Sequence, residues 1–172
     1  MTRQEITVFY MEHHRRLYNI AWRILRDSGE AEEVMQDTIL KFVSEPREFA
    51  SGAQVSAWLA RTCIRASIDR LRRRRRETAF LEEYARQESG DPAGTQDSPS
   101  GLDPESPSFL PRIRSAMDAL PEPYRLVLDL VLIEGLDYEE IAALTGQKET
   151  TLRSICSRGR NKLIEQLKKN PI

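Results

Sequence analysis

Apolar residues recur at three- and four-residue spacing through most of the chain, the mark of amphipathic helices rather than of strands, whose side chains alternate with a period of two. Ile6, Phe9, Tyr10, His13, Leu17, Ile20, Ala21 and Ile24 describe a first helix of about six turns, and Thr2 with Glu5 three residues later matches a capping box. Asp27 and Glu30 supply the next start signal, with Gly29 read in the connecting turn and Ala31, Val34, Met35, Thr38 and Phe42 as the buried stripe of a second helix. The stretch SEPREFASGAQVS, residues 44–56, breaks the period with a proline, a glycine and small residues and reads as a loop. A third helix follows over Trp58 to Arg76. Its inner side is Ala60, Ile64, Ile68 and Leu71, widened by Leu59, Cys63 and Ala66, and it is expected to run on through Phe80, Leu81 and Tyr84. With any short turn in the loop counted, four helices make the first domain.

Residues 90–107 hold four prolines, three glycines and almost no large apolar side chain. Such a segment cannot bury enough surface to offset its ordering entropy and reads as a flexible linker. Beyond it, Ile113, Met117 and Leu120 mark a short helix opened by Pro111. LPEPYRLVLDLVLIEG gives another, started by Pro121 and Pro123 and stopped by Gly135. Asp137 with Glu140 is a second capping box, opening a short helix that buries Ile141, Ala142 and Leu144, and Thr145 and Gly146 turn the chain. A last helix from about Glu149 towards Lys168 buries Leu152, Ile155, Cys156, Gly159, Leu163 and Leu167. The expected fold is all-α, with two small helical domains at 1–88 and 110–172 and the flexible acidic linker 89–109 between them.

Composition adds limits. The apolar fraction of 40% supports a core, no apolar run approaches the roughly 20 residues that span a bilayer, and the start MTRQEITVFY is not a signal peptide, so a cytoplasmic protein with no membrane insertion is expected. Cys63 and Cys156 have neither CxxC spacing nor a neighbouring histidine and read as small core residues. His13 and His14 are adjacent and point to different helix faces, which argues against a metal site, and no cofactor is expected.

The net charge of −1 hides a segregation. Trp58 to Arg76 holds eight arginines against one carboxylate, with Arg61, Arg65, Asp69, Arg72 and Arg76 on one face. A solvated charged face is the bland account. Arginine throughout favours a polyanion, since the guanidinium fork binds phosphate bidentately and stacks on bases. From Asp27 to Asp37 there are five acids and no base. Acids in a first turn complement the helix dipole, but Gln36 and Asp37 lie beyond that turn, and a two-metal carboxylate site is the enzymatic alternative. In the last third, two helices with a tight glycine turn, the second basic and polar outside, describe a helix-turn-helix that can enter a major groove.

Taken together, EAEEVMQDTILKF at 30–42, AWLARTCIRASIDRLRRRRR at 57–76, LPEPYRLVLDLVLIEGLDYEEIAALTG at 120–146 and TLRSICSRGRNKL at 151–163 resemble the bacterial RNA polymerase sigma factors of the extracytoplasmic-function (ECF) subfamily of the sigma-70 family. The resemblance covers most of the chain outside the linker, and it implies a transcription initiation factor without catalysis of its own. Its partners would be core RNA polymerase, promoter DNA and an anti-sigma factor lodged between the domains. Glu32, Glu33, Gln36 and Asp37 would dock on the clamp helices of the largest polymerase subunit, with the flap of the second-largest subunit a further contact. The 44–56 loop with Arg47 and Phe49, and the helix with Trp58, Arg61, Arg65 and Arg72, would melt and read the minus-ten element. Lys148, Thr150, Thr151, Arg153, Ser154 and Ser157 would read the minus-thirty-five element, with Arg158 and Arg160 on phosphates. Arg65 stands where the family usually has asparagine, Ile155 where a basic residue is usual, and Gly159 where alanine is common. A two-domain helix-turn-helix regulator acting without polymerase, and a metal-dependent nuclease built on the second helix's carboxylates, are the competing readings.

Overall fold

The computed structural model describes residues 1–45, 47–75, 107 and 109–169. The chain divides into two units, Met1–Glu77 and Thr78–Ile172.

In the first unit Thr2 and Glu5 form the capping box in both directions: Thr2 Oγ1 accepts from the Glu5 amide at 3.3 Å, and Glu5 Oε2 accepts from the Thr2 amide at 2.6 Å. They open α1 (Arg3–Leu25), which buries Leu17, Ile20, Ala21, Ile24 and Leu25. Arg26 ends it in the left-handed region, φ 54°, its amide donating to Trp22 O at 2.8 Å. That conformation costs a non-glycine residue roughly 1 kcal/mol. The Arg26 guanidinium lies 4.6 Å from the centre of the Trp22 ring and Nε donates to Arg23 O, which offsets the cost. Asp27 then caps α2 (Ser28–Ser44), accepting from the Glu30 amide at 2.8 Å. Gly29 therefore lies in the first turn of α2, not in a connecting turn, because Arg26 makes the reversal.

The α2 core stripe is Ala31, Val34, Met35, Thr38 and Ile39. Ile39 takes the place expected of Phe42, which is half-buried. Thr38 satisfies its buried hydroxyl on Val34 O at 2.7 Å. The third helix, α3, spans Gly52–Arg75, so five residues read as loop are helical. Gln54 reaches back to accept from the Ala50 amide, and Arg16 donates to the Ser56 carbonyl and hydroxyl, tying this first turn to α1. Leu59, Ala60, Cys63, Ile64, Ile68 and Leu71 are buried as expected. The widening residue on that side is Ser67, fully buried with its hydroxyl donating to Cys63 O, while Ala66 is half-buried. The Cys63 thiol donates to Leu17 O at 3.3 Å, a core role. Helices α1, α2 and α3 each pack on the other two. Each fully buried Leu or Ile in that interior contributes roughly 1.5–3 kcal/mol. The expected continuation through Phe80, Leu81 and Tyr84 and the 90–106 part of the linker lie outside the described residues.

The first described helix of the second unit is α4 (Phe109–Asp118), which carries Pro111 inside its first turn rather than at its opening. Next comes α5 (Glu122–Leu128), with Pro123 in the first turn where its missing N–H is harmless. It passes into one π-helical turn, Asp129–Ile133, closed by Glu134 N to Asp129 O at 3.0 Å. Gly135, φ 68°, stops it. The Asp137–Glu140 capping box opens α6 (Tyr138–Thr145), and Gly146 ends α6 with φ 74°. Last is α7 (Glu149–Lys169), which packs against α4, α5 and α6. Leu152, Ile155, Cys156, Gly159 and Leu167 are buried along it, whereas Leu163 is half-buried. A Cβ built on Gly159 would lie 3.3 Å from Leu128 Cγ and from Tyr124 Cβ, so a close approach of α7 to α5 accounts for this glycine.

Candidate nucleic-acid interface

Glu32, Glu33, Gln36 and Asp37 are all exposed on α2. Two of the helix's acids nevertheless have partners on α3. Glu33 pairs with Arg70 at 2.6 Å, and Glu30 with Arg74 at 3.0 Å. Arg74 also donates to Leu25 O at 2.9 Å, so one guanidinium joins the end of α1, the start of α2 and the body of α3. The arginine run therefore has two jobs. Arg70 and Arg74 face the acidic helix and hold the bundle, while Arg61 and Arg65 are exposed on another side.

That other side is a cleft of about 500 Å³ between the end of α2, the following loop and the first half of α3. Arg47, Phe49, Trp58, Arg61 and Arg65, five of the six residues expected to meet the minus-ten element, line it together. Arg72 is half-buried and does not line it. Gln54, from the expected 44–56 stretch, also lines the cleft, as do Lys41, Ala57 and Thr62, which were not anticipated. For Gln54, Ala57 and Thr62 the signal is helical spacing around Trp58, Arg61 and Arg65 once α3 starts at Gly52, whereas Lys41, on α2, has no such signal.

An aromatic wall supports the cleft. Phe9 stacks on Phe42 with centroids 4.5 Å apart, Phe42 meets Phe49 at 5.7 Å and Trp58 at 5.8 Å, and Phe49 meets Trp58 edge-on at 6.2 Å. Arg47 is fixed from two sides, its guanidinium 5.0 Å from the Trp58 ring centre and 2.7 Å from the Glu45 carboxylate. The Arg47 hydrogen bond holds the Glu45 carboxyl below the usual carboxylate range. Among the described lining residues four are cations and none is a carboxylate. A concave site with an aromatic face and guanidinium edges can take a planar base out of its stack while the outer cations meet phosphates.

In the second unit, Gly146, Gln147 and Lys148 turn the chain between α6 and α7. Lys148, Thr150, Arg153 and Arg160 are exposed, and Thr151, Ser154, Ser157 and Arg158 are half-buried on the first three turns of α7. Tyr138, absent from the expected reader set, lies against them. Its ring centre is 5.0 Å from the Arg153 guanidinium. The neighbouring Cys156 side chain, and then burial, raise the Tyr138 hydroxyl above its ordinary pKa. Away from both surfaces, His14 bonds Tyr10 O through Nδ1 and His13 packs on the Phe9 ring, so the two histidines have separate structural partners.

Fold and site together define a two-unit α-helical protein with a cationic, aromatic cleft in one unit and a helix-turn-helix in the other. Residues 9–77 match the family model for sigma-70 region 2, and residues 110–163 match that for sigma-70 region 4. The chain is 34% identical over 164 residues to the ECF RNA polymerase sigma factor SigE of Mycolicibacterium smegmatis, covering 92% of this chain and 60% of that protein. It is 30% identical over 138 residues to the ECF RNA polymerase sigma factor EcfG of Rhodopseudomonas palustris, covering 80% of this chain and 71% of that one. A similar fold occurs in the sigma factor RpoE of Bartonella quintana, solved in complex with the anti-sigma factor NepR, at TM-score 0.55 and 22% identity over 98% of this chain and 99% of that chain. The chain belongs to the sigma-70 family of RNA polymerase sigma factors, in its ECF subfamily. Among the described residues, no helix is long and apolar enough to cross a membrane.

Proposed function

We propose that the chain binds core RNA polymerase and directs promoter recognition and DNA melting at the start of transcription, in the cytoplasm and without catalysis of its own. One observation carries the reading. Arg47, Phe49, Trp58, Arg61 and Arg65 converge on one cationic, aromatic cleft within the residues that match region 2. In this reading residues 1–88 form the polymerase-docking and minus-ten domain, 89–109 the linker, and 110–172 the minus-thirty-five domain.

Glu32, Glu33, Gln36 and Asp37 present an acidic surface suited to the clamp helices of the largest polymerase subunit, and the flap of the second-largest subunit is a second contact. In the minus-ten region a base that leaves the duplex is held against Phe49 and Trp58, and Arg47, Arg61 and Arg65 steady the strand around it. Arg72 serves phosphates outside the cleft. Lys148, Thr150, Thr151, Arg153, Ser154 and Ser157 read the upstream element, with Arg158 and Arg160 on its phosphates. The Bartonella sigma factor's complex with an anti-sigma factor supports an anti-sigma partner here as well.

Transcription in a purified system, with core polymerase and promoters selected from a random DNA pool, tests the assignment. The full chain is expected to give promoter-dependent transcripts, and Trp58→Ala to leave core binding intact while cutting open-complex formation about five- to 150-fold, as loss of a stacking partner worth about 1–3 kcal/mol would. DNA binding without any need for core polymerase would favour a free-standing regulator instead.

A further inference from the structure

Arg153 is held from two sides. It sits on the exposed face of α7 with its guanidinium 5.0 Å from the Tyr138 ring centre, and Nη2 lies 3.7 Å from Glu149 Oε2 one turn earlier. Tyr138 itself is anchored. It is the first residue of α6, behind the Asp137–Glu140 capping box, and it is half-buried. Arg153 lies on the second turn of α7, so the contact of ring and guanidinium bridges the helix-turn-helix from its first helix to its second.

We propose that Tyr138 is a positioning residue for promoter reading: its ring, set by the capped start of α6, fixes the Arg153 guanidinium in the orientation that meets a base edge. The proposal rests on the assignment of Arg153 to the minus-thirty-five element. The physical need is plain. An exposed arginine has about 2 kcal/mol of rotamer entropy to lose on forming a bidentate contact, and a ring face that already restrains it lowers that loss at the moment of binding. Glu149 neutralises the guanidinium in the absence of DNA but does not define its plane. The ring does, because a guanidinium stacks on an aromatic face.

The test uses the full chain reconstituted with core RNA polymerase, and a duplex carrying the selected promoter together with its twelve or so single-base variants across the upstream element. Dissociation constants are measured over a range of salt. Arg153→Ala is expected to flatten discrimination at one base position by tenfold or more, in line with the loss of a bidentate pair. Tyr138→Leu is expected to reduce discrimination at that same position by about two- to fivefold, the range of an exposed cation–π contact. It should leave the other positions and the salt slope unchanged, since no phosphate contact is removed. Tyr138→Phe keeps the ring and is expected to retain most of the discrimination, and Tyr138→Met, flexible and without a ring, replaces the leucine variant if that one unfolds.

If Arg153→Ala flattens one position and neither Tyr138→Leu nor Tyr138→Met affects it, the positioning role is wrong and the reading of Arg153 stands. Equal weakening on all duplexes by the Tyr138 variants would make the residue merely structural and also overturn the proposal. Were Arg153→Ala itself without effect on base choice, the reading of Arg153 and the role of Tyr138 would both fall.

Discussion

An alanine at position 159 would carry its Cβ to 3.3 Å from Leu128 and Tyr124, side chains that are 0% and 1% exposed and have nowhere to retreat. Two effects oppose each other there. Alanine is better than glycine inside a helix by up to about 1 kcal/mol, and overpacking a filled core costs about 1–3 kcal/mol. Gly159→Ala is therefore expected to lose about 1 kcal/mol net in urea unfolding of the full chain. Gly52, at the start of α3, has nothing within 4 Å of a built Cβ, and Gly52→Ala is expected to gain a few tenths of a kcal/mol. Equal stabilities for the two variants would refute the close packing of α7 on α5. The glycine was legible as an anomaly in sequence, because mid-helix glycine among good helix formers needs a reason. Arg26 was not, since nothing in an arginine's identity marks a left-handed turn, and only its contacts with Trp22 and Arg23 O make one tolerable there.

The pairing of α2 with α3 shows what an element knows of itself and what it does not. Helix spans were readable wherever the apolar period and a cap agreed, as at Thr2–Glu5 and Asp137–Glu140. The start of α3 was not readable, because Gly52 and Ser56 are weak helix formers. Its first turn is instead held by tertiary bonds such as those of Arg16 to Ser56. The π-helical turn at Asp129–Ile133 was equally silent: one widened turn leaves the pattern of apolar positions almost unchanged. The sorting of the arginines depends on partners 37 and 44 residues away, Glu33 for Arg70 and Glu30 for Arg74. It follows that Arg74→Ala is expected to cost about 1–2 kcal/mol, since a partly buried guanidinium leaves both a carboxylate and a carbonyl behind. The exposed neighbour substitution Arg73→Ala is expected to stay within about 0.5 kcal/mol. Thermal and urea unfolding of the two variants side by side distinguish a bundle clamp from a charge run.

At the scale of the molecule, the two surfaces of the first unit lie on different sides of one three-helix bundle, and the proposed functions divide the same way. Reversing Asp37 to lysine, alone and together with Glu33→Lys, is expected to abolish binding to core polymerase while unfolding stays cooperative. Asp37→Lys is the more telling variant, since Glu33→Lys also sets a second cation beside Arg70. Unchanged core affinity in a pull-down or fluorescence titration would sink the docking assignment. The separation of an acidic from a basic surface was visible as charge segregation along the sequence, but the cleft was not. Its walls come from α2, the following loop and α3, and a spacing rule sees only one element at a time. The contact at Gly159 adds a last consequence, one of leverage. Thr150 lies nine residues nearer the start of α7, about 13 Å along the axis at 1.5 Å per residue. A tilt of about 10° about the Gly159 fulcrum swings Thr150 through about 2 Å, more than the tolerance of a hydrogen bond. The aim of the turn proposed to meet DNA is thus set in the hydrophobic interior, at a pivot formed by the buried Leu128 and Tyr124.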